Sequence, residues 1–481
     1  MGYEATIGVE THVELTTRSK MFCGCPNHFG AEPNTAICPV CLGLPGALPV
    51  PNERAIELTV SLGLALDAEI APRSLFHRKN YFYADLPKNY QISQFDLPLC
   101  RGGHLDLETE QGTARVGITR VHLEEDTGKS THLGESGRIQ AAEAVLLDFN
   151  RSGVPLMEVV SEPDIRSPEE ARAYAAELRA IILALGLSDA RLEEGRMRFD
   201  ANVSVRPEGS EGLGTKVEVK NMNSLRSLQR ALAFEIERQS ALLAGGREVE
   251  QETRHWDEAA GCTRAGRSKE ESSDYRYFPE PDLVPVTLDP DRLENLRAAL
   301  PELPAQRRAR YRALGLDSYT ARLVVEGEGY GGLLEEAAAA GGDARAAANW
   351  LVGEVTAHLR RLGVGAADTP LTGAHLAALH GLVAGGRLSA TAAKEVLAGV
   401  LEGEGSPEEV AVQRDLVQIS DEGMLLAAVD GVLAAHPAEV ERLRAGEERL
   451  LGFLVGRVMQ ATGGKADPRR VSEVIRRRVS A

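Results

Sequence analysis

Residues 5–15, ATIGVETHVEL, alternate between apolar and polar side chains. This alternation predicts a β-strand, because successive side chains of a strand point to opposite faces of the sheet. Glu10, His12 and Glu14 would share one face, and the apolar residues would share the other. Two carboxylates and an imidazole on a rigid element favour a cation site over the sheet. The alternative is a half-exposed strand with a solvated polar face.

The length and composition of the chain limit its class. At 481 residues it is too long for one hydrophobic core, so we expect two or three domains. It is 43% hydrophobic and 26% charged, as is typical of a globular protein, and no apolar run reaches the ~18–20 residues of a membrane span. Because the first residues resemble neither a secretion signal nor a transit segment, we expect a cytoplasmic protein with no membrane partner. A net charge of −17 argues against nucleic acid covering the whole surface, although a local basic patch can still bind it.

Four of the six cysteines form two close pairs. Cys23 and Cys25 make a C-x-C pair, and Cys38 and Cys41 follow as C-x-x-C after a twelve-residue loop. In a cytosolic protein this spacing predicts a tetrahedral zinc site with four thiolate ligands. Such a site has no open position for a substrate, so the zinc would be structural. The alternatives are disulfides or reduced cysteines in the core.

Strands and helices alternate in the first part of the chain. Residues 198–206, RFDANVSVR, predict a second strand whose polar face contains Asp200 and Asn202. A helix is predicted to begin at Pro168, because Ser167 before it is a typical N-cap residue. After about residue 290 the sequence is rich in Ala and Leu and predicts helices, with a break at residues 402–406, EGEGS. We therefore predict an α+β domain followed by helical regions.

Residues 77–94, HRKNYFYADLPKNYQISQ, interleave three tyrosines with basic side chains, among them Lys79 and Lys88. Aromatic rings stack on bases and cations neutralise phosphate, so this segment favours binding of a nucleotide or an RNA end. The alternative is an amphipathic hairpin whose lysine stems cover apolar surface.

Residues 121–130, VHLEEDTGKS, end an alternating segment in adjacent carboxylates, including Glu124 and Glu125. Adjacent carboxylates repel each other unless a cation neutralises them. We therefore predict a divalent metal site that also includes Glu10 and His12, and the alternative is a solvated acidic turn.

Two familiar nucleotide-binding motifs fail on inspection. Gly128 to Ser130 resemble the end of a phosphate-binding loop, but Leu123 occupies the position of the required first glycine. A G-x-G-x-x-G pattern at residues 327–332 lies between helical segments and not at the start of a βαβ unit. Because the sequence also lacks an amidase-type Gly-Ser-rich signature and a G-x-C-x-G turn, we expect that the chain does not hydrolyse glutamine itself.

Several longer blocks resemble one family. They are FCGCPNHFGAEPNTAICPVCLGLPGALPVPN (22–52), RKNYFYADLPKNYQISQ (78–94), VHLEEDTGKS (121–130), DFNRSGVPLMEVVSEPD (148–164) and VEVKNMNSLRSLQRAL (217–232). Together they are similar to the GatB family, the B subunits of aspartyl/glutamyl-tRNA(Asn/Gln) amidotransferases. The resemblance covers nearly the whole chain. It implies an α+β cradle domain related to glutamine synthetase and guanido kinases (1–292), a helical domain (293–405) and a YqeY-like helical tail that binds tRNA (406–481).

The resemblance also implies a reaction, that of a glutamine-dependent carbon–nitrogen ligase. The family uses ATP and Mg²⁺ to phosphorylate the side-chain carboxylate of Glu-tRNA(Gln), Asp-tRNA(Asn) or both, and ammonia then displaces the phosphate. By match to the family motifs, Glu10, His12 and Glu125 would hold the metal and phosphate, and Lys79 and Lys88 would lie near the ammonia exit and the phosphorylated intermediate. The other residues assigned to this site are Glu124, Glu158, Arg151, Asp200, Asn202, Lys220 and Asn221.

The resemblance also implies partners. In a heterotrimer, an amidase-type glutaminase would supply the ammonia, and a small third protein would wrap the pair. A non-discriminating aminoacyl-tRNA synthetase is a further candidate partner. The tRNA itself would be bound by the basic end of the tail, whose arginines are Arg469, Arg470, Arg476, Arg477 and Arg478. A basic helix end that only favours the helix dipole is the alternative.

Two functions from other classes compete with this one. A tRNA-binding scaffold without catalytic activity would tolerate replacement of Glu10, His12 and Glu125. An ATP-dependent ligase of a free amino acid would need no tRNA.

Overall fold

The computed structural model describes residues 2–109, 112–133, 143–266, 274–418 and 422–480. The chain forms two compact units, one up to Pro304 and one from Ala305 onward. The strands of the first unit are β1 (Tyr3–Glu14), β2 (Glu69–Ile70), β3 (Arg73–Ser74), β4 (His77–Asn80), β5 (Tyr90–Ser93), β6 (Cys100–Arg101), β7 (His104–Thr109), β8 (Gly112–Glu125), β9 (Lys129–Leu133), β10 (Ala144–Asp148), β11 (Pro155–Ser161), β12 (Met197–Pro207), β13 (Val217–Met222), β14 (Thr253–Asp257), β15 (Cys262–Ala265), β16 (Phe278–Pro279) and β17 (Val286–Thr287). Its helices are α1 (Glu53–Ala65), α2 (Pro168–Ala184), α3 (Leu225–Ala244) and α4 (Pro290–Ala298).

The first unit is built around one large sheet. Its strands follow one another in the order β15, β14, β13, β12, β1, β11, β8, β6, β2, and β7 pairs with the first half of β8. Neighbouring strands are antiparallel except β13 and β14, which are parallel. The predicted strand at residues 5–15 is thus a central strand of the sheet. Three smaller sheets pair β9 with β10, β4 with β5 and β16, and β3 with β17.

Helices α1, α2 and α3 cover one face of this sheet. Apolar side chains of β1, such as Val9 and Val13, join buried side chains of all three helices in a single core. Helix α2 begins as predicted, since the Ser167 hydroxyl accepts a hydrogen bond from the Glu170 backbone N–H at 3.1 Å and Pro168 occupies the first turn. The polar side chains of the central strands must therefore face the opposite side.

The described residues of the second unit are mainly helical. They form α5 (Pro304–Ala313), α6 (Ser318–Glu326), α7 (Tyr330–Ala339), α8 (Ala344–Trp350), α9 (Thr356–Leu362), α10 (Gly373–Ala384), α11 (Ala390–Leu401), α12 (Pro407–Gln413), α13 (Glu422–Ala435), α14 (Pro437–Arg444), α15 (Arg449–Ala461) and α16 (Pro468–Ser480). A sheet with helices on one face, followed by helices, confirms the predicted α+β class with a helical tail.

The packed apolar side chains of the described residues form three separate cores. Leu293 and Leu303 pack against the core of the first unit, so this unit extends beyond residue 292. In the second unit, Val410 and Ala411 of α12 belong to the first of two helical cores, and the other core begins at Leu425. The change of core thus lies after residue 417 and not at the polar break of residues 402–406.

No single helix among the described residues has both the length and the apolar composition of a membrane span. Gly423–Ala435 and Pro437–Arg444 have this length and composition only when the two helices are counted together, and a bend of 95° separates them.

Candidate active site

Polar side chains of four neighbouring strands meet on the sheet face opposite to α1, α2 and α3. His12 of β1 lies directly opposite Glu158 of β11 and opposite Arg198 of β12. Glu158 lies in turn opposite His122 of β8. Because directly opposite residues of antiparallel strands share a face, the register brings these groups into contact distance.

The polar side chains converge closely enough to hold a cation. His12 Nδ1 lies 3.7 Å from Glu124 Oε1 and 4.0 Å from Glu158 Oε2. Donor atoms of Glu10, His12 and Glu158 lie within 4.8 Å of one another, as do those of His122, Glu124 and Glu158. We refer to Glu10, His12, Glu124 and Glu158 as the carboxylate cluster. Its oxygen-rich donor set fits a hard divalent cation such as Mg²⁺.

The pKa values in this cluster reflect crowded negative charge. Burial and the neighbouring Glu158 carboxylate raise the pKa of Glu10. Burial opposes a charge on His12, but contacts with Glu124 and Glu158 raise its pKa to about 9. Burial likewise disfavours the Glu124 carboxylate, but His12 and the Lys79 ammonium lower its pKa to about 2. A positive charge is therefore needed among these carboxylates. Without metal the His12 imidazolium supplies one, and a bound divalent cation would replace this charge and leave His12 as a neutral ligand.

Glu125 is not part of the carboxylate cluster, although the sequence analysis grouped it with Glu10 and His12. Glu124 and Glu125 are successive residues of β8, so they point to opposite faces of the sheet. Glu125 accepts a hydrogen bond from the Ile92 backbone N–H at 2.9 Å and forms an ion pair with Lys88. Side chains alternate between the two faces along β8 as they do along β1, and this alternation predicts the separation of Glu124 from Glu125.

The two predicted lysines also diverge. Burial opposes a charge on Lys79, but Glu124 raises its pKa on balance, which places the ammonium on the side of the carboxylate cluster. The Lys88 side chain is 6% exposed and its ammonium pairs with Glu125. Both residues of this pair line a cavity of about 180 Å³ together with Tyr90 and Cys41.

Asp200, Asn202 and Lys220 extend the polar face beyond the carboxylate cluster. The Asn202 amide donates to Glu10 Oε1 at 3.1 Å, and Asp200 lies opposite Glu10. Lys220 Nζ lies 2.7 Å from Asp200 Oδ2. Asn221 has a structural role instead, because it lies at a bulge between β12 and β13, has φ of +68° and donates to a backbone carbonyl of β14 at 2.9 Å.

Asp126 organises a second charged group at the end of β8. Arg198 Nη2 lies 3.1 Å from Asp126 Oδ2, and Arg151 Nε lies 3.6 Å from the same oxygen. Arg151 also donates to the backbone carbonyls of residues 127 and 128 at 3.0 and 2.8 Å. Burial and the Asp126 charge raise the pKa of Glu14 to about 7. Asp126 is the third of the adjacent carboxylates predicted to need neutralisation, and these two arginines provide it.

His122 is a further residue that the sequence analysis missed. Its Nδ1 accepts a hydrogen bond from Arg120 Nε at 3.3 Å, and its Nε2 lies 3.4 Å from Glu158 Oε2. Burial lowers the pKa of His122, so the ring is neutral near pH 7. The period of β8 could have identified it, because His122 precedes Glu124 by two residues.

The four paired cysteines come together in the loop between β1 and α1. Their sulfur atoms lie within 4.8 Å of one another. The Cys23 thiol and the nearby Lys20 ammonium lower the pKa of Cys41 to about 5. Lys20 is only 1% exposed, and its Nζ lies 3.8 Å from Cys41 Sγ. A buried ammonium needs a compensating negative charge, and thiolates that ligate a metal would provide it.

The predicted tRNA-binding arginines lie on α16, the last helix of the second unit. Val471, Val474, Ile475 and Val479 bury one side of this helix. Arg469, Arg470, Arg476, Arg477 and Arg478 are all exposed, and among their contacts Arg476 pairs with Glu448 at 3.3 Å and Arg478 with Asp430 at 2.8 Å. The arrangement is a basic surface on an amphipathic helix.

Comparison with known proteins gives the same family along the whole chain. A family model described as the GatB/GatE catalytic domain matches residues 5–294, and a model described as the GatB domain matches residues 332–479. A relative from Frankia casuarinae is 52% identical over 99% of this chain and 96% of its own length. Relatives from Rippkaea orientalis and Thermosynechococcus vestitus are 49% and 50% identical over 98% and 99% of this chain, and 97% of each relative is covered. All three are named as the B subunit of an aspartyl/glutamyl-tRNA(Asn/Gln) amidotransferase. The chain therefore belongs to the GatB family.

Proposed function

We propose that the chain is the component of a tRNA-dependent amidotransferase that activates a side-chain carboxylate with ATP and then amidates it. The substrate would be the Glu or Asp residue of a misacylated tRNA. The observation that carries this proposal is the carboxylate cluster, with Lys79 beside it, on one face of a rigid sheet. The names of the relatives support a role in tRNA-dependent amidation.

The chemistry has two steps. A carboxylate oxygen of the substrate attacks the γ-phosphorus of ATP, the bond to the bridging oxygen breaks, and ADP leaves. The nitrogen of ammonia then attacks the acyl carbon, the bond to the phosphate oxygen breaks, and the nitrogen loses a proton. The first step is needed because oxide is too poor a leaving group for direct displacement. One original carboxylate oxygen therefore leaves with the phosphate.

Glu10, His12, Glu124 and Glu158 would hold Mg²⁺, with Glu124 in the place that the sequence analysis gave to Glu125. When bound, Mg²⁺ neutralises charge on the transferring phosphoryl group. The Lys79 ammonium would stabilise the negative oxygens of the phosphorylated carboxylate. Asp200 and Lys220 would fix the position of Asn202 and Glu10 at the edge of this site.

Ammonia would enter on the other side of the sheet. We propose that ammonia is bound in the cavity lined by Lys88 and Glu125 before it reacts, because a buried ion pair can hold ammonia by hydrogen bonds. An amidase-type glutaminase would release the ammonia, and a small third protein would complete the complex. We further propose that the first unit has the cradle fold of the catalytic domains of glutamine synthetase and guanido kinases. Helix α16 would bind the tRNA body.

The four cysteines would hold a structural zinc ion. Four thiolates complete a tetrahedral shell, so the zinc would stabilise the loop and take no part in the reaction. The buried Lys20 supports this role, since it offsets part of the negative charge of a tetrathiolate site.

Transfer of a labelled oxygen tests the proposed reaction. The assembled complex receives tRNA charged with glutamate whose side-chain carboxylate carries ¹⁸O at both oxygens, together with ATP and ammonium. Mass spectrometry of the phosphate should find one ¹⁸O atom per amide formed. Phosphate without the label would refute activation of the carboxylate, and equal turnover with free glutamate would favour a ligase of a free amino acid.

A further inference from the structure

Exposed aromatic side chains are concentrated in one small part of the first unit. Among the described residues, five of the eight exposed aromatic side chains lie on or beside the three-stranded sheet of β4, β5 and β16. They are Phe82, Tyr83, Phe95, Tyr275 and Phe278. Exposing aromatic rings to water is unfavourable in free energy, so a concentration of exposed rings indicates a binding surface.

Five rings of this region form a continuous row. Tyr83 contacts Tyr81 with 5.8 Å between ring centroids, and Tyr81 contacts Tyr275 at 6.0 Å. Tyr275 contacts Tyr277 at 6.1 Å, and Tyr277 stacks on Phe95 at 4.3 Å with an interplanar angle of 8°. We refer to these five residues as the aromatic row. Its ends, Tyr83 and Phe95, are 65% and 55% exposed, which argues against a purely structural cluster.

Lys79 connects the aromatic row to the carboxylate cluster. Its Nζ lies 5.0 Å from the ring centroid of Tyr275 and 5.8 Å from that of Tyr81. The same ammonium interacts electrostatically with Glu124 and Glu158. A ligand on the row would therefore meet a cation at the point where it approaches the reactive groups.

We propose that the aromatic row binds the unpaired nucleotides at the 3′ end of the tRNA substrate by stacking on successive bases. A single-stranded RNA end presents bases in series, joined by phosphates that carry one negative charge each. The row offers rings in series with exposed ends and one ammonium beside them, which suits bases in series joined by phosphates. The inference rests on the proposed function, because it assigns the RNA end of that substrate to a surface beside the reactive site.

The adenine of ATP fits the row less well. One mononucleotide uses one or two rings in a concave pocket, whereas the row has five rings with exposed ends. The triphosphate also needs several cations, whereas Lys79 contributes a single ammonium at Tyr81 and Tyr275.

Binding of a short RNA tests the proposal directly. The probe is a single-stranded RNA ending in ACCA with 2-aminopurine as its last base, whose fluorescence is quenched by stacking. The assembled complex should quench it, and Tyr83→Ala or Phe95→Ala should weaken binding about tenfold, since stacking contributes roughly 1–3 kcal/mol per base. Phe95→Tyr should retain the affinity. Tyr319→Ala, which removes an exposed ring of the second unit, is the matched control and should change nothing.

Steady-state kinetics separate the remaining outcomes. In tRNA-dependent amidation, Phe95→Ala should raise the KM for charged tRNA about tenfold and leave the KM for ATP unchanged. A rise in the KM for ATP alone would assign the row to adenine and overturn the proposal. Equal RNA affinity of wild type, Tyr83→Ala and Phe95→Ala would also overturn it. If the RNA binds to the row but the complex does not cleave ATP with charged tRNA, the proposed function fails and the binding surface remains.

Discussion

Glu124 and Glu125 are neighbours in the chain, yet they lie in different electrostatic environments. Glu124 faces His12 and Lys79 on the polar side of the sheet, and its pKa falls to about 2. Glu125 faces the apolar side, where Lys88 is its charged partner. A metal ion can use the first carboxylate, whereas the second is occupied by an ion pair. The two glutamates should therefore respond differently to the same substitution.

Glutamine at each position tests this difference. Glu124→Gln should lower the affinity for Mn²⁺, a spectroscopic substitute for Mg²⁺, about tenfold, because it removes a charged ligand. Glu125→Gln should leave that affinity unchanged but lower the free energy of unfolding by about 3–5 kcal/mol, because Lys88 is then buried without its partner. Metal titration and denaturant unfolding measure the two effects. Equal loss of Mn²⁺ affinity in both variants would restore Glu125 to the metal site.

The raised pKa of His12 predicts a pH dependence of stability without metal. The pKa rises from 6.5 to about 9 on folding, so the contribution of His12 is fully present below pH 6.5 and is lost as pH rises through about 9. Between these values the free energy of unfolding should fall by roughly 1–3 kcal/mol. His12→Gln should remove this slope. Identical slopes in the wild type and the variant, measured by denaturant unfolding, would show that His12 is not charged.

At the scale of elements, alternation and local motifs carried most of the predictions. The polar face of β1 and the cap of α2 were readable because each depends on neighbouring residues of the chain. The convergence of β1, β8 and β11 depends on strand pairing between distant segments, so the sequence could not give the distances around Glu158. The aromatic contacts between residues 81 and 275 are non-local for the same reason.

The cysteine loop is an element whose order should depend on zinc. It lies between β1 and α1, and its backbone N–H of Met21 donates to the Gly153 carbonyl at 2.7 Å. Purified protein should contain about one zinc per chain. Cys38→Ser or prolonged chelation should lower Tm by roughly 3 °C, which corresponds to about 2 kcal/mol in a unit of this size. Cys262→Ser is the matched control. If the protein without zinc has the same Tm as the protein with zinc, zinc does not stabilise the loop.

At the scale of the whole molecule, the two compact units have different tasks in the proposed reaction. The sheet of the first unit contains the carboxylate cluster, and the last helix of the second contains the exposed arginines. The polar break at residues 402–406 does not separate two cores, because α12 follows it and packs on the preceding helices. Local polarity does not reveal which core an amphipathic helix will join.

Removal of the tail should separate tRNA binding from the chemistry. A truncation after Gln418 leaves the first helical core complete, whereas a truncation at Ser406 would also remove α12 and expose its partners. The shorter protein should cleave ATP with charged tRNA at a similar kcat and a KM for tRNA raised at least about tenfold. Its tRNA affinity should also depend less on salt, because phosphate contacts are lost. An unchanged KM across salt concentrations would move the tRNA surface to the first unit.

If the carboxylate cluster activates the substrate, its ligands should control the rate of tRNA-dependent ATP cleavage. Glu124→Gln and His12→Gln in the assembled complex should lower this rate at least about 100-fold, because charge stabilisation of the transferring phosphoryl group is lost. The activity of the partner glutaminase should remain, and Glu248→Gln, at an exposed carboxylate, should behave as wild type. A wild-type rate of ATP cleavage in both variants would show that the carboxylate cluster does not activate the substrate.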